Sequence, residues 1–103
     1  MKKGNQPTSG NLSEKKTEIY RVVISTKAQK DFNHLDPAIQ KRIVQAILKL
    51  ESNRFPQQFK SLTGRDIASF RLRVGDFRIL YDVYDSNKTV LILRIGHRKD
   101  IYR

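Results

Sequence analysis

The 103-residue sequence contains no cysteine and only two histidines, His34 and His97. The absence of cysteine excludes a disulfide framework, a thiol nucleophile and a thiolate metal site. Two histidines are too few for a convincing zinc site, so we expect neither a metal nor any other cofactor. No apolar run approaches the ~20 residues of a membrane-spanning helix, and no hydrophobic stretch near the N-terminus indicates a secretory signal. We therefore expect a cytoplasmic protein with no membrane partner.

Acidic residues are also scarce: there are 10 against 21 Lys and Arg, which gives a formal net charge of +11. Such an excess favours a polyanionic partner, namely nucleic acid, an anionic membrane or an acidic protein. The acidic residues are scattered, with no pair placed for metal-ion catalysis. The sequence also lacks a glycine-rich phosphate loop, so the basic side chains are the most informative candidates for chemistry.

A polar tail precedes one small domain. Residues 1–17 are rich in Lys, Gly, Asn, Ser and Thr, and Leu12 is their one apolar residue after the initial Met. This composition cannot bury enough surface to offset chain entropy, so we predict a disordered basic tail. The remaining residues, 18–103, are enough for one domain and too few for two.

The first half of this domain predicts a strand followed by a helical hairpin. A β-branched and aromatic run predicts a strand over 19–25. Apolar spacing predicts a short helix from Thr26. Asp36-Pro37 predicts the start of a longer helix, in which Asp caps and Pro occupies the first turn, and we expect that helix to end near Asn53.

The second half predicts an antiparallel meander. A connecting loop is expected over 54–68, followed by a hairpin over 70–84 and a nearly all-apolar interior strand over 89–95. The predicted fold class is therefore α+β. An N-terminal strand and a three-stranded antiparallel meander form one curved sheet, and the helical hairpin packs on one of its faces.

The hairpin carries an unusual set of arginines around the turn Gly75-Asp76. A two-residue turn with Gly first is typical of the primed hairpin type and predicts that Arg73 faces Arg78 and Arg71 faces Leu80. Since side chains alternate, the three arginines share one face and the apolar residues take the buried one. Like charges directly opposite destabilise a sheet by roughly 0.2–1 kcal/mol. An anion between them is the economical explanation, and phosphate suits arginine forks, although a solvated polar face is the alternative.

A second group of polar residues follows the interior strand. Gly96-His97-Arg98 and Tyr102 are expected at the end of the sheet, beside the arginine face. Histidine moves protons near neutral pH, arginine holds phosphate, and tyrosine stacks on a base or gives up a proton. The alternative is a frayed basic C-terminus, and the residues alone leave both interpretations open.

Other aromatic and basic residues favour structural interpretations. Tyr81 lies on the apolar face of the hairpin and is predicted to be buried, with a polar partner for its hydroxyl. The basic residues of the two helices are interpreted as ordinary exposed positions: Lys27, Lys30, Lys41, Arg42 and Lys49.

The element order, the stretch SFRLRVGDFRILY (69–81) and the ending GHRKDIY (96–102) resemble the RelE/ParE toxin superfamily, on the RelE side. The resemblance covers residues 18–103. It implies the toxin of a type II toxin–antitoxin system, an endoribonuclease that cuts mRNA on the ribosome. It implies no metal, since the 2′-hydroxyl attacks the adjacent phosphate and leaves a cyclic phosphate. The implied partners are a cognate antitoxin, in a toxin–antitoxin hetero-oligomer, and mRNA in the ribosomal A site.

The resemblance also implies roles for individual residues. Arg71 and Arg73 fall where RelE-like toxins place basic residues, often lysines, at the reacting phosphate. Arg78 and Arg98 match arginines that hold phosphate. Tyr102 matches a tyrosine that stacks on the base or assists proton transfer.

The arginines themselves are poor proton acceptors. Arginine stays protonated, with a pKa above ~12, so Arg71 and Arg73 would act by stabilising the charge of the phosphorane, and His97 becomes the best acid or base candidate.

Two rival functions remain. One is a ParE-like inhibitor of DNA gyrase with no nuclease activity, and the other is a basic RNA-binding module with no chemistry.

Overall fold

The computed structural model describes residues 18–62 and 67–101. Within them the chain forms two helices and a five-stranded sheet. In chain order the elements are β1 (Arg21–Ile24), α1 (Thr26–Asn33), α2 (Pro37–Ser52), β2 (Phe59–Ser61), β3 (Phe70–Val74), β4 (Phe77–Tyr84) and β5 (Thr89–His97). The predicted α+β class is confirmed, and the predicted tail, residues 1–17, lies outside the described residues.

The strands lie in the order β1-β5-β4-β3-β2. The predicted meander is confirmed, because β3, β4 and β5 pair antiparallel in sequence. The predicted N-terminal strand joins the same sheet and runs parallel to β5, with Val22 opposite Val90. Parallel pairing needs a long connection between the two strands, and the helical hairpin supplies the first part of it.

Strand β2 lies within 54–68, where the sequence predicts only a loop. Phe59 pairs with Leu72, and Ser61 pairs with Phe70, in antiparallel register with β3. Three residues are too few to show the two-residue alternation of a strand. The sheet therefore has one strand more than predicted, and the extra strand depends on pairing with a distant part of the chain.

The two helices begin at the predicted residues but with different caps. The Ser25 hydroxyl accepts the Ala28 N–H at 3.1 Å and donates to the Leu93 carbonyl at 3.1 Å, which ties the start of α1 to β5. Asp36 occupies the N-cap position of α2, but its carboxylate makes no capping hydrogen bond, contrary to the prediction. Pro37 begins α2 at a position where a missing N–H costs nothing.

Two apolar clusters cover the two faces of the sheet. The larger lies between the helices and the sheet, and its most buried members include Ile43, Leu50, Leu72, Ile79, Tyr81, Val90, Ile92 and Ile95. The smaller lies on the opposite face and consists of Ala68, Leu80 and Ile101, with Leu62 and Leu93 packed against it. The predicted buried face of the hairpin is thus confirmed, and its arginine face carries a small apolar cluster as well.

A bulge in β5 changes which of its side chains share a face. Leu80 pairs with Arg94, whereas Tyr81 pairs with Ile92, so Leu93 has no partner in β4. An extra residue of this kind changes the face to which the following side chains point. Ile92 and Ile95, which are three positions apart, therefore both pack in the larger cluster, while Leu93 packs in the smaller one.

The β3–β4 turn has the predicted geometry. Gly75 has a φ of +61°, and Asp76 is not among the positive-φ residues, which matches the primed turn with glycine first. The register is also as predicted, with Arg73 opposite Arg78 and Arg71 opposite Leu80. The turn therefore places two arginines directly across from each other at the end of the sheet.

Candidate functional site

A cavity of about 510 Å³, here called the arginine cavity, lies at the turn end of the β3–β4 hairpin. Four arginines from four segments line it: Arg42 of α2, Arg73 of β3, Arg78 of β4 and Arg98 after β5. Asp76 is the acidic member among the described residues of the lining. The cavity therefore brings together positively charged side chains from parts of the chain that are distant in sequence.

Arg78 is held by the turn that precedes it. Its Nη1 donates to the carbonyl oxygens of Gly75 and Phe77, each at 2.9 Å. These bonds fix the orientation of the guanidinium relative to the hairpin turn. The Arg78 side chain is therefore preorganised, which suits the phosphate-holding role that the resemblance implies.

Arg98 reaches the same cavity because the C-terminal turn docks on the hairpin turn. Its backbone N–H donates to the Asp76 carbonyl at 2.8 Å. Its Nε lies 3.6 Å from a carboxylate oxygen of Asp76, and the two side chains are 55% and 71% exposed. A surface pair of this kind contributes about 0–1 kcal/mol, so it restrains Arg98 weakly and leaves its guanidinium able to bind an anion.

Arg73 faces Arg78 across the hairpin. The Arg73 Nη2 donates to the Gln58 Oε1 at 3.2 Å, and its backbone N–H donates to the Gln58 carbonyl at 3.3 Å. Within the described residues, no acidic side chain forms an ion pair with Arg73. The hairpin therefore has the predicted pair of facing arginines next to its turn.

Arg42 is the lining residue that the sequence analysis missed. A β-carbon built at Gly75 would lie only 2.5 Å from the Arg42 Nη2, so the guanidinium lies directly over the turn. Arg42 precedes the fully buried Ile43 and therefore lies at the border of the apolar stripe of α2. That position is the one signal in the sequence for a role of Arg42, and it does not show which strand of the sheet lies next to this side of the helix.

Arg71 lies outside the residues that line this cavity. It is the second residue of β3, opposite Leu80 on one side and Lys60 of β2 on the other. It lies two positions from Arg73, or about 7 Å along a strand. Arg71 and Lys60 thus extend the positive charge along the same strands, away from the turn.

His97 lies beside a different cavity. It pairs with Phe77, while Gly96 pairs with Arg78, so strand alternation places His97 on the face opposite the Arg78 side chain. Its ring packs edge-to-face on Phe77 at 5.4 Å between centroids. Its Nδ1 accepts the Lys99 N–H at 3.1 Å, so a neutral ring carries its proton on Nε2.

The neighbouring cavity, of about 410 Å³, is lined by His97 together with Asp31, His34, Arg94 and Asp100. The structure thus brings Arg73, Arg78 and Arg98 together and leaves His97 apart from them. Tyr102, the remaining predicted site residue, lies outside the described residues. Within residues 18–62 and 67–101, no group of three or more His, Cys, Asp and Glu side chains is arranged to hold a metal ion.

The two helices described here, α1 and α2, are not long and apolar enough to cross a membrane. The fold and the cavity together define a small basic α+β protein with a cluster of arginines at one end of its sheet. Residues 22–102 match the family described as "ParE toxin of type II toxin-antitoxin system, parDE".

Two relatives agree with this family assignment. Toxin RelG of Mycobacterium tuberculosis is 36% identical over 85 residues, which cover 82% of this chain and 97% of RelG. The putative toxin RelE1 of Methanocaldococcus jannaschii is 30% identical over 87 residues, which cover 82% of this chain and 96% of the relative.

Solved structures show the same fold. The toxin–antitoxin complex RelBE2 of M. tuberculosis matches with a TM-score of 0.70 and 32% identity, over 78% of this chain and 99% of that chain. The RelE–RelB complex of Pyrococcus horikoshii matches with a TM-score of 0.69 and 28% identity, over 80% and 98%. The chain therefore belongs to the ParE toxin family within the RelE/ParE superfamily and is a toxin of a type II toxin–antitoxin system, as its resemblance predicts.

Proposed function

We propose that this toxin is a ribosome-dependent endoribonuclease that cleaves mRNA without a metal ion. The observation that carries the proposal is the cavity lined by Arg42, Arg73, Arg78 and Arg98, with Asp76 as the acidic residue of its described lining. Arginine forks match phosphate oxygens in geometry and charge. A single RNA phosphate in this cavity could accept hydrogen bonds from more than one of these guanidinium groups.

The arginines act on the charge that develops during cleavage. The ribose 2′ oxygen bonds to phosphorus, the bond from phosphorus to the 5′ oxygen breaks, and a 2′,3′-cyclic phosphate and a 5′-hydroxyl form. The intermediate phosphorane carries more negative charge than the starting diester, so preorganised cations stabilise it more than the substrate. Arginine cannot accept the 2′ proton at neutral pH. The 2′ proton therefore passes to solvent and the 5′ oxygen takes a proton from solvent, and the assisting role of Tyr102 stays a prediction of the resemblance.

The ribosome supplies orientation that the small cavity lacks. Holding the 2′ oxygen in line with the leaving 5′ oxygen can account for ~7–11 kcal/mol of a reaction barrier. The four arginines then need only stabilise charge at a phosphate that already has the reactive geometry. The proposed substrate is therefore mRNA in the ribosomal A site, and we expect free RNA to be cleaved more slowly.

We further infer that the partner of this toxin is a cognate antitoxin. Both structures compared above are complexes of a related toxin with its antitoxin. The net charge of +11 favours a partner with acidic segments. Such a complex would be a toxin–antitoxin hetero-oligomer.

The test is to incubate the purified toxin with programmed ribosomes and to map the new mRNA ends. We expect cuts with a cyclic phosphate for the natural protein and a loss of about 10²-fold or more in rate for Arg78→Ala and for Arg98→Ala. Arg21→Ala is the matched control, since Arg21 is exposed on β1 at the far edge of the sheet from the arginine cavity. Equal rates in all four proteins would contradict the proposal.

A second candidate function is inhibition of DNA gyrase by protein contact, which a resemblance to ParE toxins implies, and the matched family carries the name ParE. A gyrase supercoiling assay on the same preparations separates the two. Inhibition of supercoiling without mRNA cuts, unaffected by Arg78→Ala, would establish this second function in place of the nuclease.

A further inference from the structure

A second cavity continues directly from the arginine cavity along α2. It has a volume of about 380 Å³ and shares Arg42, Gln58, Arg73 and Val74 with the arginine cavity. Two cavities with four lining residues in common form one continuous depression in the surface. A ligand that enters one of them can therefore extend into the other.

The part beyond the shared residues, here called the α2 groove, is marked by Gln45 and Lys49 of α2 and by Gln57 of the following loop. Arg42, Gln45 and Lys49 are separated by three and four residues, so they share one face of the helix. From Arg42 to Lys49 this face extends ~10.5 Å. The groove is thus long enough to follow a chain that leaves the arginine cavity.

The chemistry of the α2 groove is that of cations and amides. No acidic residue is found among its described lining residues. The side chains of Arg42, Gln45, Lys49 and Gln57 are exposed, and none has a hydrogen bond or ion pair with another described residue. An amide both donates and accepts hydrogen bonds, as the edges of nucleic-acid bases do, and a cation binds phosphate. The volume lies within the ~300–1,000 Å³ of ordinary ligand sites.

We propose that the α2 groove binds the next nucleotide along the RNA, beyond the two nucleotides that the reacting phosphate joins. Arg42 and Lys49 contact its backbone, while Gln45 and Gln57 form hydrogen bonds with the edge of its base. This assignment rests on the proposed nuclease function and adds to it a second subsite, with a preference among bases that the arginines alone cannot provide. The continuity of the two cavities favours RNA over an acidic peptide as the occupant, because an RNA whose phosphate lies in the arginine cavity enters the groove directly.

The test uses two unreactive RNAs, a dinucleotide and a trinucleotide with 2′-O-methyl riboses, titrated into the full-length protein and followed by NMR. The dinucleotide has one phosphate and fills the arginine cavity, whereas the trinucleotide also reaches the α2 groove. We expect the side-chain amide signals of Gln45 and Gln57 to shift with the trinucleotide and to stay unchanged with the dinucleotide.

Variants give the quantitative part of this test. Lys49→Ala should weaken trinucleotide binding about three- to fivefold, as removal of an exposed cation–phosphate contact does, and leave dinucleotide binding unchanged. Gln57→Ala should weaken trinucleotide binding and change the preference among bases at the added position. Lys41→Ala is the matched control, because it removes the same charge from the same helix and Lys41 does not line either cavity.

The possible outcomes separate this inference from the proposed function. If Arg78→Ala weakens binding of both RNAs while Lys49→Ala and Gln57→Ala behave like Lys41→Ala, the groove assignment is wrong and the arginine cavity stands. If the natural protein binds neither RNA but still cleaves mRNA on programmed ribosomes, the groove assignment is wrong and the proposed function stands. If Lys49→Ala weakens binding of the antitoxin and leaves RNA binding intact, the groove is a protein-docking surface and the inference is overturned.

Discussion

Arg73 and Arg78 meet across the hairpin with the register that a two-residue turn imposes. At the scale of single residues, this pairing follows from local rules, since Gly75 has the positive φ that such a turn requires. The position of Arg42 does not follow from local rules, because the flank of a helix carries no information about which strand lies beneath it. The same limit applies to His97, whose side of the sheet depends on its pairing with Phe77.

A first prediction at this scale concerns His97. Because it lies on the face opposite Arg78, we expect His97→Ala to lower the rate of ribosomal mRNA cleavage by less than about tenfold, well below the 10²–10⁴-fold loss expected of a general base. Single-turnover cleavage of programmed ribosomes gives the measurement. His34→Ala, which changes the other histidine of the same cavity, is the control. A loss with His97→Ala as large as that with Arg78→Ala would show that His97 transfers a proton directly.

A second prediction concerns Gly75. Gly75→Ala places a side chain at a φ of +61°, and we expect it to lower the free energy of unfolding by about 1–2 kcal/mol, measured by urea denaturation. The new β-carbon would also displace the end of the flexible Arg42 side chain. The double variant Gly75→Ala/Arg42→Ala should recover little of the loss, because the backbone causes it. Full recovery would instead assign the cost to the contact with Arg42.

At the scale of elements, the helices and the long strands lie where the sequence predicts them. Their apolar spacing, together with Pro37 at the start of α2, is a strong local signal. Strand β2 shows the limit of such signals, since its three residues become a strand only through hydrogen bonds with β3. The bulge at Leu93 also cannot be predicted from local sequence, because a continuous apolar run gives the same pattern whether or not it contains an extra residue.

The contact between α1 and β5 leads to a prediction about Asp31. Its carboxylate accepts hydrogen bonds from Arg94 at 2.8 and 3.2 Å and from the Ile95 N–H at 2.9 Å. The side chains are only 17% and 19% exposed, and the hydrogen bond to Asp31 is the main cause that raises the pKa of Arg94. We expect Asp31→Ala to cost about 3 kcal/mol of unfolding free energy, because it leaves a largely buried guanidinium unpaired.

Two further variants define how that result is interpreted. Asp36→Ala changes an exposed carboxylate with no capping bond and should cost at most about 1 kcal/mol in the same denaturation experiment. Asp31→Ala/Arg94→Met removes both charges and should be more stable than Asp31→Ala. If the single variant is as stable as the natural protein, the ion pair does not hold α1 on the sheet.

At the scale of the whole molecule, two tyrosines make the free energy of unfolding depend on pH. Tyr81 is fully buried, its hydroxyl donates to the Arg54 carbonyl at 2.7 Å, and burial raises its pKa. The Tyr20 hydroxyl donates to Asp85 at 2.6 Å, and this hydrogen bond, with burial, raises the pKa of Tyr20. Both groups keep their proton in the folded chain at a pH where the unfolded chain releases it.

We therefore expect the free energy of unfolding to fall as the pH rises above about 10, the ordinary pKa of tyrosine. The stabilisation is fully present below that pH, because there the folded and unfolded chains bind the same protons at these residues. For Tyr81 the slope approaches about 1.4 kcal/mol per pH unit. Urea denaturation between pH 8 and 11 measures it. Tyr81→Phe should reduce the slope, whereas Tyr84→Phe, which changes an exposed tyrosine, should not.

The sequence by itself determined the α+β class, the two helices, the hairpin register and the face of the hairpin that is buried. Each of these depends on residues a few positions apart, so alternation, helical spacing and turn chemistry are sufficient. The sequence also predicted that Arg98 lies beside the arginines of the hairpin, whereas only the tertiary structure decided that Arg42 joins them, that His97 faces another cavity, and that β1 pairs in parallel with β5. These depend on how α2 and the chain after β5 pack against the sheet, and packing is a property of the whole core that no local pattern contains.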